Sequence, residues 1–118
     1  MSNSAIHPSH FLPLSELPFQ ILLALGSGAS HGYGIGKEIE GRSSGRLKPT
    51  TGSLYQALKR LKDDGLIEST DPKEENGDTR RKYFQLTPLG RQVMALEAER
   101  LAELVAVARE RSLAPKRV

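Results

Sequence analysis

Cysteine and tryptophan are both absent from this 118-residue chain. Without thiols there is no disulfide framework, no zinc ribbon and no thiol nucleophile. Three histidines leave little for a metal site, and no cofactor is expected. The aromatic residues are three Tyr and three Phe, so a stacking site for a flat aromatic ligand is not evident. Long apolar runs are missing as well. None, Ile21 to Leu25 included, is longer than five residues, far short of the ~20 that span a bilayer, and residues 1–13 hold no Lys or Arg to open a signal peptide. A cytoplasmic protein with no membrane contact is therefore expected. Charge of one sign is also scarce: 17 Lys and Arg face 14 Asp and Glu, an excess too small to prove a polyanionic partner. What is present is ordinary globular composition, 37% hydrophobic and 26% charged. The length, below the ~150 residues of a typical domain, allows one compact unit plus tails.

Residues 1–13, with Pro8, Pro13 and no apolar period, are expected to form a flexible arm outside the core. From Leu14 the period becomes helical. Leu14, Leu17, Ile21, Leu22 and Leu25 recur at three- and four-residue steps, with Ser15 as a cap and Gly26 as the stop, which predicts a helix over 15–25. A short second helix is expected from His31 or Gly32 to between Gly41 and Ser44, carrying Ile35 and Ile39. Thr50 or Thr51 then caps a third helix with the narrow stripe Leu54, Leu58, Leu61, closed at Asp64-Gly65. Two short strands, Leu66 to Thr70 and Arg81 to Leu86, flank a polar run with an Asn76-Gly77 turn and read as a hairpin. Thr87-Pro88 opens a long last helix to about Arg111, and residues 112–118 form a frayed tail. Helix, helix, helix, hairpin, helix is mainly α with a small β-hairpin. It is the order of a winged helix-turn-helix, here over 14–87, followed by a long C-terminal helix over 88–111.

Several motifs read more simply than they look. Gly32-Tyr33-Gly34-Ile35-Gly36-Lys37 suggests a phosphate-binding loop. A Walker A loop, however, needs Gly where His31 stands and Ser or Thr where Glu38 stands, and no strand pattern precedes it. Its glycines are better read as places where the second helix approaches the first or third closely. His7 and His10 have ligand-like spacing but lie around Pro8 with no third ligand nearby.

The charge that bears on function is clustered, in Lys59-Arg60-Leu61-Lys62 and Arg80-Arg81-Lys82. At about 100° per residue, the third helix turns Leu54, Leu58 and Leu61 inward. Gly52, Gln56, Lys59 and Asp63 then point outward, Ser53 and Arg60 lie next to them, and Tyr55 sits on the flank. Short polar groups, an amide and cations suit base edges and phosphates, though a merely solvated helix would look similar. The second cluster falls on the hairpin, where a wing meets phosphates.

The stretch from His31 to Gly90 closely resembles the PadR family of bacterial transcriptional regulators. The resemblance is carried by His31-Gly32-Tyr33-Gly34-Ile35, by Gly52-Ser53-Leu54-Tyr55 with Ala57-Leu58-Lys59-Arg60-Leu61, by Asp64-Gly65-Leu66-Ile67, and by Arg81-Lys82-Tyr83-Phe84-Gln85-Leu86-Thr87 with Leu89-Gly90-Arg91. Thr51 and Gln56 stand where the family often has proline. The resemblance implies a homodimer and, in some members, a ligand cavity at the dimer interface. With one helix after the wing, the chain resembles the small members of the family.

The expectation is a non-enzymatic, sequence-specific DNA-binding repressor. It acts as a homodimer on an inverted-repeat operator in double-stranded DNA, and a small-molecule effector is among its possible partners. Candidate DNA contacts are Thr50, Thr51, Gly52, Ser53, Tyr55, Gln56, Lys59 and Arg60 on the third helix, and Arg80, Arg81 and Lys82 on the wing. The dimer follows from length: residues 88–111 as a helix reach about 36 Å, more than the first three helices of the same chain cover. The expected interface is Val93, Leu96, Leu101, Leu104 and Val105. The alternative is a winged-helix protein-interaction module that does not bind DNA and whose basic residues serve solubility.

Overall fold

A computed structural model describes residues 6–71 and 82–115. Four helices, α1 (Glu16–Leu25), α2 (Gly32–Arg42), α3 (Thr51–Asp63) and α4 (Pro88–Glu110), surround a small antiparallel sheet. Its strands are β1 (Ser30–His31), β2 (Ile67–Thr70) and β3 (Tyr83–Leu86). This is the winged helix-turn-helix order, with one strand beyond the expected hairpin. β1 pairs with β3 (Ser30 opposite Phe84, His31 opposite Tyr83), so β3 is the central strand, with β2 on its other edge in the register Ile67 opposite Leu86. The Asn76-Gly77 turn, Arg80 and Arg81 lie outside the described residues.

The helix starts follow from local chemistry. Thr50 Oγ1 accepts the Ser53 N–H at 3.0 Å, Thr87 Oγ1 accepts the Gly90 N–H at 3.0 Å, and His31 Nδ1 accepts the Gly34 N–H at 3.1 Å. Each cap satisfies an N–H that the first helical turn leaves without a backbone partner. Ser15 occupies the N-cap position of α1 as expected but makes no side-chain cap bond. At the other end of α3, Gly65 takes φ +81°, the left-handed conformation that ends the helix.

Ile21, Leu22 and Leu25 of α1, Ile35 and Ile39 of α2, and Leu54, Leu58 and Leu61 of α3 interleave with Leu66, Ile67, Phe84 and Leu86 of the sheet region to form one core. The glycines of α2 do permit close approach. A Cβ at Gly32 would lie 2.3 Å from the Tyr55 hydroxyl, and one at Gly36 would touch Leu54.

Two expectations need correction. The N-terminal arm is not outside the core throughout: Pro8–Phe11 forms a 3-10 turn, and Phe11 and Leu12 pack against the core cluster. Pro8 supplies the first-turn φ and its missing N–H costs nothing there, while Phe11 and Leu12 have apolar surface to bury. In the long helix, Val93 is completely buried within its own chain's core, so it belongs to the fold and not to an interface. The apolar stripe of α4 is therefore divided. Leu89, Val93 and Met94 pack on the rest of the chain, whereas Leu104, Val105 and Val107 are exposed.

Candidate nucleic-acid interface

Burial of Leu54, Leu58 and Leu61 fixes the rotation of α3, which leaves its other faces open. Thr50, Thr51, Gly52, Ser53, Tyr55, Gln56, Lys59 and Arg60 are all exposed, as the spacing predicts. They are not equally available. The Ser53 hydroxyl receives a hydrogen bond from Thr50 Oγ1 at 2.9 Å and donates to the Thr50 carbonyl at 3.2 Å, so it is engaged in the cap. Tyr55 presents its ring outward while the hydroxyl fills the space over Gly32. That contact fixes the side chain and joins the outward face of α3 to the start of α2.

Two of the three cations of α3 are paired with carboxylates one turn on, at its end. Lys59 Nζ lies 2.9 Å from Asp63 Oδ2, and Arg60 Nε lies 3.5 Å from Asp64 Oδ2, each one turn away. The hydrogen bond from Lys59 to Asp63, reinforced by charge attraction, raises the ammonium above its usual pKa. Exposed pairs of this kind are weak and easily exchanged. A phosphate can displace the carboxylate, and the carboxylate lowers the net charge the helix presents.

The wing side is represented by Lys82, which is exposed just before β3. Between α3 and β3 a groove of about 540 Å³ is lined by Tyr55, Leu58, Lys59, Lys62, Asp63, Lys82 and Phe84. Three lysines thus line one groove, two from α3 and one preceding β3, with Asp63 among them. The sequence reading placed Lys62 in a basic cluster without assigning it to the interface. Its angular position, next to Tyr55 on the helix wheel, is the signal that could have found it. Toward the N-terminal end of α3 and adjoining it at Tyr55, a second groove of about 360 Å³ is lined by Lys37, Glu40, Lys48, Thr51 and Tyr55 together with residues of α2. Lys37 stands 5.7 Å above the Tyr33 ring and 3.9 Å from Glu40. Neither Lys37, met in the sequence only as the end of a phosphate-loop decoy, nor Lys48 is assigned to an interface from the sequence, and the fold brings both to one groove with α3. Among the described residues no group of His, Asp and Glu is arranged to hold a metal ion, and no helix is long and apolar enough to cross a membrane.

Comparison with known proteins agrees with this geometry. The family described as Transcriptional regulator PadR-like family matches residues 21–96, a span that includes α2, α3, the sheet and the first part of α4. A transcriptional regulator from Clostridium thermocellum is 30% identical, with a TM-score of 0.67 over 80% of this chain and 87% of that one. A PadR family transcription regulator from Clostridium difficile is 26% identical, with a TM-score of 0.68 over 81% of this chain and 97% of that one. An uncharacterized 37.1 kDa protein in transposon TN4556 of Streptomyces fradiae is 45% identical over 84 residues. That match takes in 71% of this chain but 22% of the relative, so the chain spans under a quarter of that protein's length.

Proposed function

The chain belongs to the PadR-like family of transcriptional regulators, and from that premise we propose that it binds an inverted-repeat operator as a homodimer and represses transcription from it in the cytoplasm. The observation that carries this reading is the groove lined by Lys59 and Lys62 of α3 together with Lys82, which precedes β3. The spacing between a helix and a hairpin suits a major groove and its adjoining phosphates. Gln56, exposed and engaged in no cap, is the candidate base reader. Ser53 shares that role with its part in the cap. Thr50, Thr51, Gly52 and the cations, with Arg80 and Arg81 just before Lys82 in the chain, position the backbone.

The second copy is read from α4. Leu104 is 56% exposed and Val105 and Val107 are each 40% exposed, while Leu96 and Leu101 are half-buried, so this half of the helix presents an apolar strip to solvent. Exposed apolar strips of this kind mark association surfaces. A twofold axis through the strip gives two recognition helices and inverted half-sites about 34 Å apart, or a multiple of that. Release by a small-molecule effector then amounts to separating the two copies or changing their angle.

A second reading is favoured by the pairs Lys59–Asp63 and Arg60–Asp64. A face that neutralises its own cations suits a protein-interaction module without DNA. Selection of bound sequences from random duplex DNA, followed by a salt titration on the winner, separates the two. Recovery of an inverted repeat whose affinity falls steeply with salt supports the regulator. Absent or salt-insensitive binding supports the interaction module.

A further inference from the structure

Midway along α4 lies a carboxylate that a surface helix would ordinarily leave in water. Glu97 is 1% exposed. Its two oxygens receive a guanidinium from the same helix, Arg100 Nε at 2.6 Å and Arg100 Nη2 at 2.9 Å. The second oxygen also accepts the backbone N–H of Leu14 at 2.8 Å, a bond between residues 83 positions apart in the chain. Leu14 immediately precedes Ser15, the N-cap of α1. The carboxylate therefore fastens α4 to the entrance of the winged helix, and the fork geometry of a bidentate arginine holds the carboxylate itself in one orientation.

Its place along the helix gives the fastening a role. Before Glu97, α4 packs its own chain through Leu89, Val93 and Met94; after it, Leu104, Val105 and Val107 face solvent. Glu97 stands where α4 leaves its own domain. Beyond that point the helix runs to Glu110, a lever of about 20 Å at 1.5 Å per residue. Tilting such a lever by about 10° moves its far end by roughly 3.4 Å, one base-pair step of B-DNA.

We propose that Glu97, held by Arg100, is a positioning residue that fixes the angle at which α4 departs from the winged helix and thereby sets the spacing of half-sites the dimer accepts. The inference rests on the dimeric reading above. It goes beyond that reading by assigning operator spacing to a contact remote from DNA.

The test uses the full chain as wild type, Glu97→Gln and Arg100→Lys. Glu97→Gln keeps an acceptor for Leu14 but loses the charge. Arg100→Lys alters only the partly exposed partner (38% exposed) and guards against a core that fails to fold. Each protein is titrated with duplexes carrying the selected half-site as inverted copies, the spacer being varied one base pair at a time at fixed salt. Sedimentation records the oligomeric state in parallel. The expected result is that both variants remain dimeric and recognise the same half-site, yet lose about threefold or more of the wild type's preference for its best spacer over the adjacent ones. Dimeric variants with an unchanged spacer profile overturn the proposal, and so does an equal loss at every spacer, the mark of a merely structural pair. A wild-type chain that sediments as a monomer overturns the dimeric reading itself, and the spacing role with it.

Discussion

Replacing Gly90 with alanine sets two opposing effects against each other, and the structure decides between them. Gly90 lies in the first turn of α4, where alanine is worth roughly 1 kcal/mol of helix propensity over glycine. Yet a Cβ at this position would lie 2.0 Å from the carbonyl oxygen of Leu66. That oxygen is backbone and cannot rotate away. It accepts the Thr87 N–H at 3.1 Å, while Thr87 Oγ1 donates to the Gly65 carbonyl at 2.6 Å. Making room means opening this joint by more than 1 Å, roughly the shortfall from normal C–O contact, and stretching both bonds. Overpacking costs about 1–3 kcal/mol and each weakened hydrogen bond about 0.5–1.5 kcal/mol. After subtracting the propensity gain, a net loss of about 1–5 kcal/mol remains, or roughly 4–20 °C in Tm for a domain of this size. Gly41→Ala is the control. It is helical and exposed, and a Cβ there meets nothing within 4 Å. Only the propensity term acts, so Tm should rise by about 2–4 °C. Calorimetry at one fixed protein concentration, since association shifts Tm, reads both. A Gly90→Ala protein as stable as wild type refutes the argument from close approach.

Three further outcomes are expected. Asp63→Asn frees Lys59 from its carboxylate. The variant should bind the selected duplex about two- to fivefold more tightly with unchanged sequence preference, measured by fluorescence anisotropy; weaker or unaltered binding removes Lys59 from the interface. Leu104→Glu adds a carboxylate to the exposed strip of α4 without touching the core, so the variant should fold normally yet sediment as a monomer at micromolar concentration where the wild type is a dimer. The Arg100 hydrogen bonds, aided by the Leu14 N–H and opposed by burial, hold the Glu97 carboxyl below its ordinary pKa of 4.5. Its contribution to stability is therefore fully present above that value and is lost as pH falls through the lowered folded value. The urea-midpoint difference between wild type and Glu97→Gln should shrink on acidification below about pH 4.5; a difference independent of pH contradicts the assignment.

The parts of the fold legible in the sequence were those that local chemistry determines. Thr50, Thr87 and His31 announce helix starts because a side-chain acceptor three residues before an N–H needs no distant partner. The inward stripe of α3 was equally plain, and with it the exposed face that makes the candidate site. β1 was not legible. Two residues carry no period, and Ser30–His31 is a strand only because β3 lies alongside it. Nor was the division of α4. Val93 and Leu104 look alike in a hydrophobic pattern, and only the packed position of the helix separates a core residue from an exposed one. Glu97 was missed because a carboxylate among apolar residues reads as solvent-facing, until a guanidinium three residues on and a backbone N–H 83 residues back make its burial tolerable. The pairing of Lys59 with Asp63 follows from a four-residue separation and could have been found from the sequence.

The divided helix also bears on how such proteins diversify. Up to Met94 the inward residues of α4, Leu89, Val93 and Met94, are tested against the chain's own core; among the described residues none from Leu104 onward belongs to that core cluster. On the dimeric reading proposed above, two gene copies could drift apart in partner choice through a few changes on the exposed strip while each keeps the same winged helix. If the strip joins two copies as proposed, mutual avoidance between paralogues needs no change in the DNA they recognise.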